Sequence, residues 1–548
     1  MHSALQSLMI LAAAGLTLAQ LPATITDHKK IDLGDGVGVR YKEPKLCETT
    51  EGVNSYSGFL DIAEDRHLFF WFFESRRNPE EDPVTLFLNG GPGADNMGGL
   101  FDEVGPCSPS DDGLTTVLRN DSSWNEISNL LFITQPVGVG FSHGFLEELS
   151  IPDPTDASGK RTLEGRIANA DFVNLNTTEL AADDMWAAMQ AFYAALPEMA
   201  PRVKSKTFHM GTQSYGGHWG PGFFNRFRKE TEALGDEAPF QIGSLMIING
   251  ITDAYLQYPS FPKFAMENTH GVHPPPLVTA YMDYSLLAEV NGCLAMIETC
   301  ETAINLAPES LHFKSLCAEA AAVCRHTVEM PAQASLDFHN YDITNDINAT
   351  KQPFPPGVYP VFLNVPEVQA ALGVSSNYTV GVNTEVYGSF LFTGDFVRRK
   401  QRIDLEELLD AGVRVALWYG DKDWVCNWLG GEMLSLGTNS TQSEQFASAG
   451  YAPMTVDGTH YGDTREYGHF SFTRVFDAGH AVPFYQPEAS FALFERTITG
   501  RDQATGMDDI SEDYATEGPE KSTYSQINGD GKRARFLIDM VKSAKFRT

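Results

Sequence analysis

The 548-residue chain contains no run of 18 uninterrupted apolar residues, so no segment reads as a membrane-spanning helix. Its C-terminal end carries no apolar segment and with it no lipid-anchor signal. Positive charge is short: 39 Lys and Arg face 72 Asp and Glu, a formal net charge of −33. Phosphate would be repelled, which excludes nucleic acid as a partner. A chain this acidic stays charged and dispersed, which suits an exported protein. Cysteine is scarce, and its seven positions include none of the tight C-x2–4-C pairs of structural zinc sites. No metal or cofactor is expected.

What is present begins with a core: 42% hydrophobic and 11% aromatic residues suffice for a large folded body. The N-terminal "LMILAAAGLTLAQ" resembles a secretory signal peptide over residues 1–19, with small Thr17 and Ala19 ahead of a cleavage before Gln20. Its opening residues lack Lys and Arg, and a buried N-terminal helix is the competing reading. Five Asn-x-Ser/Thr sequons, at Asn120, Asn176, Asn348, Asn377 and Asn439, agree with export. An extracellular destination is read ahead of a vacuolar one.

Cys293 and Cys300 stand seven residues apart, as do Cys317 and Cys324. Each pair therefore falls on one helix face, two turns apart. Two such helices folded back antiparallel bring Cys300 to Cys317 and Cys293 to Cys324. Cys47 and Cys107 would form a third bridge, leaving Cys426 as the odd thiol.

Along the chain, residues 55–73 read as a β-hairpin, and "VTLFLN" (84–89) and "NLLFIT" (129–134) as short buried strands running into glycine-rich turns. A helix is expected from Thr178 to Leu196. "TFHM", "IGSLMIIN" (242–249), "VRVALWYG" (413–420) and "FTRVF" (472–476) read as further strands, with helix-like "PEASFALFERTIT" last. Apolar strands alternating with helices imply an α/β fold, a mostly parallel sheet covered on both faces. The expected organisation is a first sheet segment at 20–254, a helical, disulfide-linked cap at 255–357, a second sheet segment at 358–500, and a polar, weakly folded tail at 501–548.

"HMGTQSYGGHW" (209–219) places Ser214 in a glycine-rich turn after an apolar strand. The nucleophile elbow is Gly-x-Ser-x-Gly; here Gly216 fits at +2, but Thr212 stands at −2. A serine nucleophile needs a base, and the base an orienting carboxylate. Asp421 and Asp423 follow one strand and His480 the next, in the hydrolase order of Ser, acid, His. Loops beyond the C-terminal ends of parallel strands are where such sheets hold their sites.

With these positions go "CETTEGVNSYSGFL", "FFWFFESR", "FLNGGPG", "GLFDEVGPC", "SSWNEISNLLFITQPVGVGFS", "SYGGHWGP", "INGITD", "GDKDWVCNWLG" and "GHAVPF". Over about residues 40 to 500 the chain resembles the serine carboxypeptidases, their secreted fungal carboxypeptidase S1-like branch in particular. The resemblance implies an α/β-hydrolase fold with a helical cap, and release of C-terminal residues from peptides or proteins. Its implied triad is Ser214, His480 and Asp423, the second Asp of Gly-Asp-x-Asp. It implies an oxyanion hole from the amides of Gly91 and Tyr215, and a grip on the substrate carboxylate by Asn89, Gly90, Glu103 and residue 213. It also implies Cys47–Cys107 and the nested cap bridges, places Cys426 near the substrate, and gives Ala481 a place at the leaving-group pocket.

The chain departs from the family at Thr212, at Gln213 in place of glutamate, at Asp95 and Asn96 in place of serines, and at Phe87 in place of tryptophan. A cysteine that many relatives carry at Ala94, with its partner downstream, is absent. With Gln213 neutral, Glu103 lacks a like-charged partner and is expected to ionise near 4 unless burial raises it. Two other readings stay open: an acyltransferase using the same triad, and a binding protein weakened by the altered elbow. The oligomeric state is not readable.

Overall fold

The computed structural model describes residues 21–152, 162–172, 175–307, 310–346, 357–379 and 381–525. The expected signal peptide at 1–19, Asn348 and residues 526–548 lie outside them.

One twelve-stranded sheet organises the chain. Its strands are β1 (Lys29–Gly34), β2 (Val37–Lys42), β3 (Ser55–Ala63), β4 (Arg66–Phe73), β5 (Val84–Leu88), β6 (Asn129–Ile133), β7 (Thr207–Gln213), β8 (Gln241–Ile248), β9 (Arg414–Gly420), β10 (Ala452–Val456), β11 (Thr459–Tyr467) and β12 (Phe470–Val475). Their spatial order is β1-β2-β3-β4-β6-β5-β7-β8-β9-β12-β11-β10. The six strands from β6 to β12 run parallel, and antiparallel strands complete both edges.

Every residue of β5, β6 and β9 is buried. Helices on both faces explain this, because a doubly covered strand has no solvent side to fill with polar residues. On one face α1 (Thr178–Met199) and α2 (Gly216–Leu234) bury Met185, Trp186, Phe192 and Trp219 against Leu86, Leu131 and Met210. On the other, α5 (Pro487–Thr499) packs Leu493 and Phe494 with Phe87, Phe132 and Trp418. Thr177 starts α1 by accepting the Leu180 amide at 3.3 Å.

Between β8 and β9 the alternation gives way to helices. Among them α3 (Cys293–Leu306) and α4 (Leu311–Cys324) are clamped by Cys293–Cys324 and Cys300–Cys317, with Cα separations of 4.6 and 4.7 Å. The seven-residue spacings therefore produce the nested pair. Cys47 bonds Cys107, and Cys426 is free and buried. Further helices at Tyr359–Leu363, Pro366–Leu372 and Thr384–Thr393 continue past residue 357, the last of them packed on α4.

The described part of the tail differs from the weakly folded segment read from its polarity. The Thr516 amide donates to the Glu466 carbonyl at 3.0 Å, and the Tyr451 amide to the Pro519 carbonyl at 2.8 Å. Tyr524 stacks on Phe476 with 3.7 Å between ring centroids. A few backbone pairings and one aromatic anchor hold a segment that has little apolar content of its own. Asn377 also needs correction as a glycan acceptor. It is only 3% exposed, and its side-chain oxygen accepts the Arg166 amide at 2.9 Å, so a glycan would have to break that contact. Asn120 and Asn439 are exposed, and Asn176 is half-buried.

Candidate active site

Ser214 occupies the step from β7 into α2 with φ at +65°, the left-handed region that few non-glycine residues enter. Backbone bonds hold it there: its amide donates to the Ile248 carbonyl at 3.1 Å, and its carbonyl accepts Gly217 at 2.9 Å and Ile251 at 3.0 Å. Thr212 fits at −2 because the helix side of the turn is glycine. A Cβ on Gly216 would stand 2.7 Å from the Thr212 Cβ, and one on Gly220 3.0 Å from its hydroxyl. Close packing at this elbow is thus kept by glycines after the serine. The glycine-rich loop beyond β5 presses against the same turn. A Cβ on Gly90 would lie 2.3 Å from the Tyr215 nitrogen, and Gly91 takes φ +105°.

His480 and Asp423 come from the loops after β12 and β9. The Nδ1 of His480 lies 2.7 Å from Oδ2 of Asp423, and both side chains are buried. Asn249 donates to the same Oδ2 at 2.9 Å. Tyr341 stacks on the imidazole at 4.5 Å and accepts the His480 amide at 2.9 Å. Asp421 is committed elsewhere: it pairs with Arg474 at 3.0 Å and accepts the Asp477 amide at 2.9 Å. Ser214, Tyr215, Gly90, Gly91, Cys426 and His480 line one cavity of about 560 Å³. Burial, helped by the charge of Asp423, pushes the Cys426 thiol well above its ordinary range. Ala481, buried beside His480, is not among the cavity's lining residues. Its carbonyl is turned to the next helical turn, accepting Phe484 at 2.9 Å.

Asn89, Glu103 and Gln213 line the same cavity and form a closed polar triangle. The Gly99 amide donates to Asn89 Oδ1 at 2.8 Å, which fixes which way that amide points. Asn89 Nδ2 then donates to Gln213 Oε1 at 2.9 Å and to Glu103 Oε1 at 3.2 Å. Gln213, oriented in turn, donates Nε2 to Glu103 Oε2 at 2.5 Å. Burial raises Glu103 to about 7, against the hydrogen bonds from Gln213 and Asn89. Without a second carboxylate the ordinary acidic value is expected unless burial raises it, and burial does: desolvation alone shifts this group upward. Neighbouring Asp102 is raised to about 7 by burial and then by Glu103.

The remaining departures have local partners. Asn96 accepts the Asn89 amide at 2.7 Å and donates to the Ile133 carbonyl, bracing the triangle from below. Asp95 accepts the Met97 amide at 2.8 Å, and burial raises it to about 6. Ala94 pairs with Val382 as an isolated bridge, so a backbone contact joins these segments without a disulfide. Phe87 meets Trp124 edge-on at 5.5 Å. Asn249 and Tyr341 escaped the sequence reading, because a polar side chain near a strand end carries no local signal of its distant partner.

The chain belongs to the serine carboxypeptidase family, whose model matches residues 44–500. It is 35% identical over 571 residues to carboxypeptidase S1 homolog B of Arthroderma otae, covering 94% of this chain and 85% of the relative. To carboxypeptidase S1 of Penicillium janthinellum it is 34% identical over 461 residues, covering 83% of this chain and 98% of the relative. The crystal structure of Kex1(delta)p, a prohormone-processing carboxypeptidase from Saccharomyces cerevisiae, superposes with a TM-score of 0.62 at 19% identity. That match covers 87% of this chain and 99% of the other, and it shares the fold. No helix among the described residues is long and apolar enough to cross a membrane.

Proposed function

We propose that this protein is a secreted, glycosylated serine carboxypeptidase that releases single residues from the C-termini of peptides. The observation that carries the reading is the buried Asn89–Glu103–Gln213 triangle in the same cavity as Ser214. A hydrolase with a carboxylate receptor beside its nucleophile can cut only where a chain ends.

In this reading Ser214 Oγ attacks the last peptide carbonyl and His480 takes its proton, while Asp423 holds the imidazole through Nδ1. The oxyanion accepts the amides of Gly91 and Tyr215, which the glycine loop brings against the elbow. His480 returns the proton to the departing amine, and water then opens the acyl-enzyme. Protonated Glu103, with the Asn89 side chain and the Gly90 backbone, holds the terminal carboxylate in place. Asn120 and Asn439, both exposed, are the sequons best placed to carry glycans.

The test is release of free C-terminal amino acid from a peptide, read beside fluorophosphonate labelling of the same protein. Wild type should release the residue and take the label, and Ser214→Ala should do neither while remaining folded. Substantial hydrolysis by Ser214→Ala would remove Ser214 from the mechanism. Labelling without release from any peptide would remove the carboxypeptidase reading.

A further inference from the structure

The Tyr215 amide faces the glycine loop beyond β5, where a Cβ on Gly90 would stand 2.3 Å from its nitrogen. The Tyr215 side chain reaches into the fold and is 1% exposed. Its ring stacks on the His218 imidazole, with 4.3 Å between centroids and 10° between planes. Its hydroxyl donates to Oδ2 of Asp395, which stands 180 residues further along the chain. Burial and then the Asp395 charge push that hydroxyl well above its ordinary range, so it remains a donor.

Asp395 opens the short turn Asp395–Val397 after the helix Thr384–Thr393, and it is 1% exposed. Its Oδ1 accepts the Thr178 amide at 3.1 Å and its Oδ2 the Thr178 hydroxyl at 2.6 Å. The carboxylate thus sits on the first turn of α1, where the helix dipole favours a negative group. Its backbone carbonyl lies 3.1 Å from Nε2 of His218, the imidazole that the Tyr215 ring covers. The cap backs the same corner. Gly394 takes φ +73°, and a Cβ on it would stand 2.0 Å from the Cβ of Cys317, one half of the inner bridge. Thr393 donates to the Asn176 carbonyl at 2.8 Å, just ahead of α1.

An oxyanion donor at Tyr215 is only as well aimed as the peptide plane from Ser214 to Tyr215. One end of that plane is held by the backbone, since the Ser214 carbonyl accepts Gly217 and Ile251. The other end is the Cα of Tyr215, which its side chain ties to the body of the fold. Given Ser214 as nucleophile and the Tyr215 amide as oxyanion donor, we propose that Asp395 is a positioning residue that anchors the Tyr215 side chain and so aims the amide. Asp395 acts through Tyr215: it is not among the cavity's lining residues, whereas Tyr215 is. The oxyanion forms only on the way to the tetrahedral intermediate, so a loosened amide lowers kcat and leaves peptide binding unchanged.

The experiment compares wild type with Tyr215→Phe, which keeps the ring and its stack, with Asp395→Asn, and with the double variant. Removing an oxyanion donor outright costs roughly 100- to 1000-fold in kcat, so a donor left in place but unclamped should cost about tenfold. Each single variant should show that loss in kcat and in the rate of fluorophosphonate labelling, with KM within about twofold of wild type. The double variant should lose no more than Asp395→Asn alone, because both changes cut one link. Peptide Kd on Ser214→Ala, read by fluorescence anisotropy, should be the same with and without Tyr215→Phe. Wild-type kcat and labelling rate in folded Tyr215→Phe would overturn the proposal. So would losses that multiply in the double variant, or a Kd weakened as much as kcat. Labelling without release from any peptide would end the carboxypeptidase reading alone, since the labelling rates of the variants still decide this one. A wild type that takes no label would remove Ser214 as nucleophile, and the clamp with it.

Discussion

Gln213 donates its side-chain amide to Oε2 of Glu103 across 2.5 Å, so one acid and two amides form the floor where the substrate carboxylate is expected to rest. Glu103 keeps its proton up to about 7 because it is buried. Below that value it donates a hydrogen bond to a carboxylate; above it, two anions face each other. The KM for peptides should therefore rise as pH passes about 7, while an ester-blocked C-terminus should respond much less. Glu103→Gln should flatten the peptide profile. KM measured against pH for both proteins decides the point, and an equal rise in both would remove Glu103 from carboxylate recognition.

The same shift has a consequence for the fold. An acid whose folded value is raised binds more protons in the folded chain than in the unfolded one. Stability therefore falls with rising pH, here between the ordinary glutamate value and about 7. At pH 8 Glu103→Gln should recover part of that loss, on the order of 3 kcal/mol at most. Denaturant midpoints at pH 5 and pH 8 check it: the gain of the variant over wild type should be larger at pH 8. A gain no larger at pH 8 would contradict the burial argument.

Thr212 and Gly216 should behave as a coupled pair. Gly216→Ala brings a methyl group to 2.7 Å from the Thr212 Cβ, an overpacking that costs about 1–3 kcal/mol. Thr212→Gly removes that Cβ at a backbone cost of about 1 kcal/mol. The double variant should be more stable than the sum of the singles implies, and its fluorophosphonate labelling should recover with it. Strict additivity would mean that the two residues do not constrain each other.

Much of this arrangement was legible in the sequence, and for identifiable reasons. Val84–Leu88 and Arg414–Gly420 are short apolar runs whose burial on both faces needs a covered parallel sheet. The seven-residue cysteine spacings dictate their own pairing once two helices run antiparallel. What stayed hidden depends on long-range contact. Nothing near Asn249 reveals that it supports Asp423, 174 residues away. The ionisation of Glu103 depends on burial, which no neighbouring residue type reports. The tail from Arg501 reads as polar and loose because its anchors, Thr516 and Tyr524, are single residues whose partners lie on β11 and just beyond β12.

The inner disulfide should stabilise the helical region through its closed loop. Cys300 and Cys317 are separated by 17 positions, for which chain entropy predicts about 3 kcal/mol. Replacing both by alanine should lower stability by that order, more than replacing exposed alanines of the same helices. Calorimetry against wild type measures it, and an unchanged midpoint would mean that the outer bridge Cys293–Cys324 and packing hold the helix pair without the inner one.

The described tail should prove part of the catalytic body. Arg474, fully buried in β12, pairs with Asp421 at 3.0 Å and stacks over Trp428 at 4.2 Å. Its guanidinium also donates to the Thr269 hydroxyl at 3.0 Å and, in the tail, to the Ser522 hydroxyl at 3.1 Å and the Tyr524 carbonyl at 3.2 Å. Ending the chain after Arg501 strips those tail acceptors from a buried guanidinium and exposes the face of Phe476 that Tyr524 covers. Two lost acceptors of a buried guanidinium and a lost aromatic stack together should cost about 2 kcal/mol or more. Asp421 is two residues from Asp423, and Phe476 four from His480, so loosening should reach the acid–base pair and lower kcat more than it raises KM. Tyr524→Ala separates the stack from the rest of the tail and should show a smaller loss of the same kind. A truncated protein with the wild-type midpoint and kcat would show that the tail rests on the sheet without supporting it.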